Sequence, residues 1–180
     1  THGRAIAVAT GMKIAKPQKH VIVLTGDGDC LAIGGNHFIH ACRRHINLTV
    51  LLFNNSIYGM TGGQYSPTKH MGSVRRTSQL GLVENDFDAC RLAIASGASY
   101  VARSTTYHVN QLTDLIGKAI AHPGLSVVEA VSQCPSQYGS INRLGTGAEM
   151  MRQYAADFGP HKQGRFMTGV LHHEVRPEYT

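Results

Sequence analysis

Two short polar segments carry the residue types that could bind a metal ion and a phosphate group. The first is the run of residues 26–29, Gly-Asp-Gly-Asp, and the second is the pair Asn54-Asn55. Carboxylate and amide oxygens suit Mg²⁺ or Ca²⁺ rather than a soft metal. Glycine has no Cβ, so the backbone on either side of Asp27 can come close to a phosphate and present N–H groups to it. The two segments together predict a site for a metal-bound diphosphate.

The elements around these segments would bring them to one place. Apolar runs at residues 21–24 and 48–53 are too short for helices and end where the polar segments begin, which predicts two buried strands. The 28 residues from Asp27 to Asn55 can hold a strand end, a helix over 37–45 and a return strand in one βαβ unit. Both strand ends would then lie at the same edge of a parallel sheet. The alternative, in which Asp27 and the asparagines are ordinary turn residues, stays open at this point.

The rest of the chain continues the alternation of helices and strands, which predicts an α/β fold with a parallel sheet and helices on both faces. Periodicity and breakers give helices over 3–15, 87–96, 108–122 and 148–158, and further strands over 99–102 and 125–131. We expect one domain over residues 1–158 and a C-terminal tail, 159–180, that packs on a partner or frays. The segment 59–76 is too long for a simple connection and is predicted to bind a ligand.

Composition excludes several classes of function. With 180 residues and 42% hydrophobic content, the chain can bury one substantial core. No run approaches the ~18 apolar residues of a membrane span, and residues 1–20 do not combine a basic start with an apolar stretch as a signal peptide does, so a cytoplasmic protein is expected. The net charge is +6, but the basic residues are scattered and there is no tryptophan, which argues against nucleic-acid binding. The excess charge either attracts anionic partners or is an ordinary solvated surface.

The four cysteines do not form a disulfide framework, since they contain no CxxC pair and fall in different predicted elements. Three of them fit packed, reduced thiols inside helices or turns. Cys134 differs because it follows the predicted strand 125–131 and precedes Pro135. That places its thiol on a loop just beyond the sheet, where it could be presented to a ligand.

Several short sequence motifs resemble those of a known family. The spacing of the Gly-Asp-Gly and Asn-Asn segments is typical of thiamine diphosphate enzymes, and the wider context resembles the β subunit of 2-oxoacid:ferredoxin oxidoreductases over roughly residues 1–155. The motif Tyr-Gly-Met-Thr-Gly-Gly-Gln at residues 58–64 is most like that of the 2-oxoglutarate branch of this family. The resemblance is carried by His2-Gly3-Arg4, the run 26–29, residues 33–37, Ile57 through Gln64, Ser66-Pro67-Thr68, residues 96–103 and Ser132-Gln-Cys134-Pro135.

The resemblance implies the thiamine diphosphate-binding fold and assigns roles to individual residues. Asp27, the Asn55 side chain and the Ile57 carbonyl would hold Mg²⁺ on the cofactor's diphosphate. His2 would donate a hydrogen bond to the diphosphate or act near the reacting carbon, as a catalytic residue. Asp29 would contact diphosphate oxygens or only shape the turn. The other implied cofactor contacts are Gly26, Gly28, Gly59, Met60 and Thr61.

The same resemblance implies CoA-dependent oxidative decarboxylation of a 2-oxoacid with electron transfer to ferredoxin, or the reverse carboxylation. An α subunit would supply a second domain and the glutamate at the cofactor's aminopyrimidine, so this chain would hold half of an active site. Cys134 would be one ligand of a [4Fe–4S] cluster, which needs four thiolates. We therefore expect either an N-terminal segment before Thr1 or no cluster.

Two other functions remain open at the level of sequence. The same metal and diphosphate residues would serve a non-redox thiamine diphosphate decarboxylase or carboligase. A non-catalytic assembly subunit could also keep the fold and bind the metal diphosphate only for stability.

Overall fold

The chain folds around a five-stranded sheet and a small two-stranded hairpin. The structure is a computed structural model that describes residues 2–69 and 84–179. The strands are β1 (Ile22–Gly26), β2 (Thr49–Asn54), β3 (Ile57–Tyr58), β4 (Gln64–Tyr65), β5 (Tyr100–Thr105), β6 (Ser126–Val131) and β7 (Gly169–His173). The order in the large sheet is β1-β2-β6-β5-β7. Strands β1, β2, β6 and β5 run parallel, and β3 pairs with β4 in the antiparallel hairpin.

Helices cover both faces of this sheet, which confirms the predicted fold class. The helices are α1 (Ala5–Ala15), α2 (Gly35–Arg44), α3 (Ala89–Ala95), α4 (Val109–Ala121) and α5 (Gly147–Asp157), with π-helical turns at Asp29–Ile33 and Pro135–Gly139. The helices α1, α2 and α3 pack on one face in a core that includes Phe38, Val50 and Val101. On the other face α4 packs Leu115 and Ala119 against β5 and β6. No helix within the described residues is long and apolar enough to cross a bilayer.

One face of the sheet changes from apolar to polar along the strands. Side chains alternate between faces, so Val50, Leu52 and Asn54 of β2 point to the same side. The strand register places Glu129 beside Leu52, and Arg103 beside Glu129. The amino-terminal half of this face is therefore core, whereas its carboxyl end carries buried polar and charged groups. This is the edge at which the predicted site was expected.

The segment after residue 158, expected to be a tail, contributes a strand to the sheet. Strand β7 pairs antiparallel with β5, with an irregularity between Val101 and Ala102, and the N–H of Tyr179 donates to the carbonyl of His45. The sequence gives little sign of it, because an edge strand is only half covered and shows no regular alternation of apolar residues. The chain after residue 158 is thus continuous with the main fold.

Two further differences concern the bounds of elements. Strand β5 runs on to Thr105, three residues beyond the predicted end, because Arg103 and Ser104 are buried and find partners in the fold. The predicted ligand loop 59–76 begins inside the β3–β4 hairpin, and its residues 70–76 lie outside the described part of the chain. The other predicted helices and strands lie within about two residues of their observed positions, as expected for boundaries.

Candidate functional site

A cleft of about 300 Å³ opens at the carboxyl ends of β1 and β2. It lies at the sheet edge where parallel strands usually present ligands. The ten residues predicted for the cofactor, Mg²⁺ or catalysis all line it, whereas Cys134, the predicted cluster ligand, does not; Tyr58 is the one lining residue that was not assigned. The lining consists of His2, Gly26, Asp27, Gly28, Asp29, Asn55, Ile57, Tyr58, Gly59, Met60 and Thr61.

Asp27 is the group whose environment most clearly calls for a ligand. It is 2% exposed, and no lysine, arginine or histidine of the described stretches forms an ion pair with it. Burial raises the pKa of this carboxyl, although hydrogen bonds from neighbouring groups act in the opposite direction. A buried carboxylate without a counter-charge is costly unless a cation binds it. The position is therefore suited to a metal ion.

Three hydrogen bonds converge on one oxygen of Asp27. The Ser56 N–H lies 3.0 Å from Oδ2, the Thr68 hydroxyl donates to Oδ2 at 2.6 Å, and the Ser66 hydroxyl donates to the same atom. These three bonds fix the carboxylate through Oδ2, and Oδ1 takes part in none of them, so Oδ1 is the candidate oxygen for a cation. The functions of Ser66 and Thr68 were not assigned from sequence, although both occur in a segment that carried the family resemblance.

The two asparagines have different partners. The Asn55 Oδ1 accepts from the Ile57 N–H at 3.2 Å, which closes a turn and places the Asn55 oxygen and the Ile57 backbone together beside the cleft. Asn54 points to the sheet face instead, where its Oδ1 accepts from Thr68 at 2.8 Å and its Nδ2 donates to Glu129 at 2.6 Å. Asn55 is therefore the candidate ligand, and Asn54 belongs to the structure that supports it.

Asp29 lines the cleft, but its carboxylate is already engaged. The Gly3 N–H donates to Oδ1 at 2.6 Å, His2 Nδ1 lies 2.5 Å from the same oxygen, and the Thr25 hydroxyl donates to Oδ2 at 2.8 Å. The observed contacts correspond to the turn-shaping alternative for Asp29. They also attach the amino-terminal residues to the cleft and leave His2 Nε2 as the ring nitrogen that a ligand can reach.

The two glycines beside Asp27 meet different constraints. A Cβ on Gly26 would find no atom within 4 Å, so the backbone here borders open space that a phosphate group can fill. A Cβ on Gly28 would lie 2.3 Å from the Tyr58 ring. Gly28 is therefore required by the packing of an aromatic side chain against the turn. That ring also makes an edge contact with His2, with 5.9 Å between centroids.

The donor set fits a hard cation bound to a diphosphate. Asp27, Asn55 and the Ile57 carbonyl offer oxygen atoms only, and Mg²⁺ completes such partial sets with phosphate oxygens and water. No thiol or cluster of imidazoles within residues 2–69 and 84–179 competes for the cation in this cleft. A larger groove of about 740 Å³ between α1 and β1 is lined mainly by apolar residues and contains no carboxylate.

Cys134 lies close to the rim of the cleft. A Cβ on Gly59 would be 3.7 Å from its Sγ, and the thiol is partly exposed at the start of a π-helical turn. The other three cysteines are buried, and burial raises the pKa of each, to about 12 for Cys42. Among the described thiols, Cys134 is therefore the one placed to bind an external cluster or partner.

The fold and this cleft define a diphosphate-binding α/β domain, and comparison with known families gives the same result. Residues 1–130 match the family described as "Thiamine pyrophosphate enzyme, C-terminal TPP binding domain", which is most of the chain. The chain belongs to this family.

Curated relatives confirm the more specific resemblance to 2-oxoacid:ferredoxin oxidoreductase β subunits. The chain is 57% identical over 84% of its length to the 2-oxoglutarate synthase subunit KorB of Methanocaldococcus jannaschii, and covers 56% of that protein. It is 48% identical over 99% of its length to the subunit KorB of Methanothermobacter marburgensis, and covers 66% of it. The chain thus spans between about half and two thirds of these relatives.

A solved structure has the same fold over nearly the whole of this chain. The 2-oxoglutarate:ferredoxin oxidoreductase from Magnetococcus marinus, solved with 2-oxoglutarate, coenzyme A and succinyl-CoA bound, matches 99% of this chain and 65% of its own chain. The TM-score is 0.83 and the sequence identity is 33%.

Proposed function

We propose that this chain is the thiamine diphosphate-binding part of the β subunit of a 2-oxoacid:ferredoxin oxidoreductase that acts on 2-oxoglutarate. The observation that carries the proposal is the buried Asp27 carboxylate, which has no cationic partner among the described residues and opens onto the cleft. The names of the relatives, at up to 58% identity, support this choice of substrate over other 2-oxoacids.

In this proposal three groups bind Mg²⁺ and the rest of the cleft binds the diphosphate. Asp27 Oδ1, Asn55 Oδ1 and the Ile57 carbonyl are the metal ligands. Gly26 leaves room for phosphate oxygens, and the hairpin residues 59–61 border the cofactor on the other side, with Met60 almost fully exposed at the rim. The Thr61 hydroxyl donates to Gln64 at 2.6 Å, which shapes the hairpin tip.

When bound, thiamine diphosphate supplies the carbon nucleophile that allows a 2-oxoacid to lose CO₂. The residues of this chain anchor the cofactor, neutralise its diphosphate through the metal and orient it. His2 is a catalytic or binding residue in this proposal, because Asp29 holds its Nδ1 and directs Nε2 away from that contact. An oriented imidazole can donate a hydrogen bond or accept a proton.

The proposal requires partners. The carboxylate that activates the aminopyrimidine comes from an α subunit, coenzyme A accepts the acyl group, and ferredoxin accepts the electrons. The assembly works in the cytoplasm, where a reducing environment keeps free thiols reduced, and the four cysteines of this chain are free.

Cys134 is one ligand of a [4Fe–4S] cluster in the proposed enzyme. Its support is its place beside the cofactor cleft, since Gly59 of the cleft wall lies against its thiol. A cluster at this distance would receive electrons close to where they are released. The other thiolates of such a cluster lie outside the described thiols, because Cys30, Cys42 and Cys90 are buried.

The test is anaerobic, coenzyme A-dependent reduction of a viologen dye by the purified native complex that contains this chain. We expect reduction with 2-oxoglutarate and little with pyruvate. The matched control is the same complex with Asp27→Ala, which should bind neither Mg²⁺ nor cofactor and should reduce nothing.

Each other result changes the proposal in a defined way. A preference for pyruvate would contradict the substrate and keep the family. No reduction by an intact complex that holds Mg²⁺ and thiamine diphosphate would contradict the redox function in favour of a non-redox enzyme. Full activity of the Asp27→Ala complex would show that this chain serves assembly only.

A further inference from the structure

A buried ion pair behind the cleft has no role in the function proposed so far. Arg103 and Glu129 are each 2% exposed, on adjacent central strands, with Arg103 Nε 2.6 Å from Glu129 Oε2. Arg103 also contacts Asp88 at 2.5 Å and the Gly164 carbonyl at 3.3 Å. A buried ion pair is weak evidence for stability, since the cost of desolvating both charges can exceed their attraction. Stability alone therefore does not account for this pair, and its other contacts are the guide to its role.

The second oxygen of Glu129 leads to the metal site. Glu129 Oε1 accepts from Asn54 Nδ2 at 2.6 Å, so the amide nitrogen of Asn54 must face the glutamate. The amide oxygen is consequently turned to the opposite side. There it accepts from the Thr68 hydroxyl at 2.8 Å and from the Ser56 N–H at 3.2 Å.

Those two donors are shared with Asp27. The Ser56 N–H and the Thr68 hydroxyl lie 3.0 Å and 2.6 Å from Asp27 Oδ2, as well as near Asn54 Oδ1. A rotation of the Asn54 amide would place its N–H₂ group against the Ser56 N–H, so that two donors would face each other and the Ser56 backbone would be displaced. The position of the Asp27 carboxylate is thus linked to the orientation of one amide, which Glu129 determines.

We propose that Glu129, held by Arg103, is a positioning residue for the Mg²⁺–diphosphate site, acting through Asn54 on Asp27 and on the turn that carries Asn55 and Ile57. The inference rests on the proposed function, because it concerns the metal that Asp27 would bind. Hydrogen-bond partners behind metal ligands commonly set the affinity of a site in this way.

A different use of the same residues is a second metal site. The ligand atoms of Asp88, Cys90 and Glu129 lie within 4.8 Å of one another. However, Arg103 contacts both carboxylates, and the Cys90 thiol donates to Glu129 Oε2 at 3.2 Å. The guanidinium already supplies the positive charge, so these residues form a supporting network.

The test measures Mn²⁺ binding in the presence of thiamine diphosphate, by electron paramagnetic resonance of free Mn²⁺, with the assembled complex. The Glu129→Gln side chain has one acceptor oxygen, where the glutamate has two. If that oxygen accepts from Arg103, the glutamine N–H₂ group faces the Asn54 N–H₂ group, so the orientation of the Asn54 amide is no longer fixed. We expect the Kd for Mn²⁺ to rise about tenfold. The matched control is Asp88→Asn, which removes a charged partner of Arg103, retains a residue that caps α3 and does not touch Asn54. It should leave the Kd unchanged.

Two further variants keep the inference testable if Glu129→Gln does not assemble. Arg103→Met combined with Glu129→Met and Asp88→Asn removes the guanidinium and both carboxylates that contact it, a change that cores often tolerate. It should give a folded complex with the same tenfold loss. Asn54→Ala should weaken Mn²⁺ binding by itself, and adding Glu129→Gln to it should have little further effect, since both act through one contact.

The outcomes separate this inference from the proposed function. A wild-type complex that binds no Mn²⁺ with thiamine diphosphate would contradict the proposed function. Tight wild-type binding, with an unchanged Kd in Asn54→Ala or in any assembled Glu129 variant, would overturn the positioning role alone. An equal loss in Asp88→Asn would also overturn it, because the effect would then follow from general loosening of the core.

Discussion

Two polar clusters lie at opposite ends of the same sheet, and they differ in how their hydrogen bonds are satisfied. At the carboxyl end, Asp27 is a buried acid with no cation among the described residues and borders a cleft. At the amino end, Ser99 lies 2.7 Å from His45 Nε2 and 2.8 Å from His122 Nε2, all buried. The first cluster is incomplete without a ligand, whereas the second is closed by the chain itself.

The proton positions in the amino-end cluster can be worked out. His45 Nδ1 lies 3.0 Å from the Pro177 carbonyl and must donate to it. In a neutral ring Nε2 then accepts, so the Ser99 hydroxyl donates to His45 and accepts from His122. Each group has a partner, and the chain near Pro177 covers the cluster. Buried polar groups therefore indicate a ligand site only where the protein leaves one of them incomplete.

Asp27→Asn should have the largest effect on turnover. It should remove the property that distinguishes the carboxyl-end cluster, which is a buried charge that needs a bound cation. Loss of the charged ligand removes metal-dependent cofactor binding, and we expect turnover to fall about 1000-fold, equivalent to ~4 kcal/mol. The unfolding temperature of the cofactor-free protein should rise, because a buried uncompensated charge is removed. Viologen reduction and thermal unfolding without cofactor measure the two effects. A fall in turnover together with a fall in the unfolding temperature would mean that the Asp27 carboxylate stabilises the fold and is not held ready for a metal ion.

Ser99→Ala should affect only stability. It removes the hydroxyl that joins two buried imidazoles, which should lower the free energy of unfolding by about 2 kcal/mol. Urea unfolding measures this loss, and the Kd for Mn²⁺ with thiamine diphosphate should not change. Ser126→Ala is the matched control, because the buried Ser126 Oγ has no hydrogen-bond partner in the part of the chain that the structure describes. A loss as large in that control would rule out the imidazole contacts as the cause.

The smallest effect is a dependence of stability on pH at the amino end. Burial lowers the pKa of both His45 and His122 below the ordinary value of about 6.5. The unfolded chain then binds protons more readily than the folded one, so stability is complete above about pH 6.5 and falls as the pH drops through the lowered values.

The pH effect is measured as the difference in unfolding temperature between pH 7.5 and pH 5.5. In His122→Gln, which keeps a donor toward Ser99 and cannot take up a proton, the difference should be smaller than in the wild type. His20→Gln, at an exposed position, should behave as the wild type. Equal slopes in all three proteins would show that the buried histidines do not contribute.

That Asp27 and Asn55 lie in one cleft could be predicted from sequence, because the prediction depends only on short motifs and the strands directly before them. The Gly-Asp-Gly and Asn-Asn segments each follow an apolar strand, and a βαβ unit has one allowed geometry that joins their ends. The donors to Asp27 were missed, since Ser66 and Thr68 are separated from it by about 40 residues and lie in no periodic element. The roles of His2, Thr61 and Cys134 stay predictions until the experiments above are done.

The sequence by itself determined the fold class, the positions of the parallel strands along the chain and ten of the eleven residues that line the cleft, because periodicity and turn chemistry act over short spans. Only the tertiary structure decided that Asp27 is buried without a cation, that Glu129 and Arg103 form a pair behind it, and that β7 completes the sheet edge. Burial, counter-charge and strand pairing depend on residues far apart in the chain, and no local pattern records them.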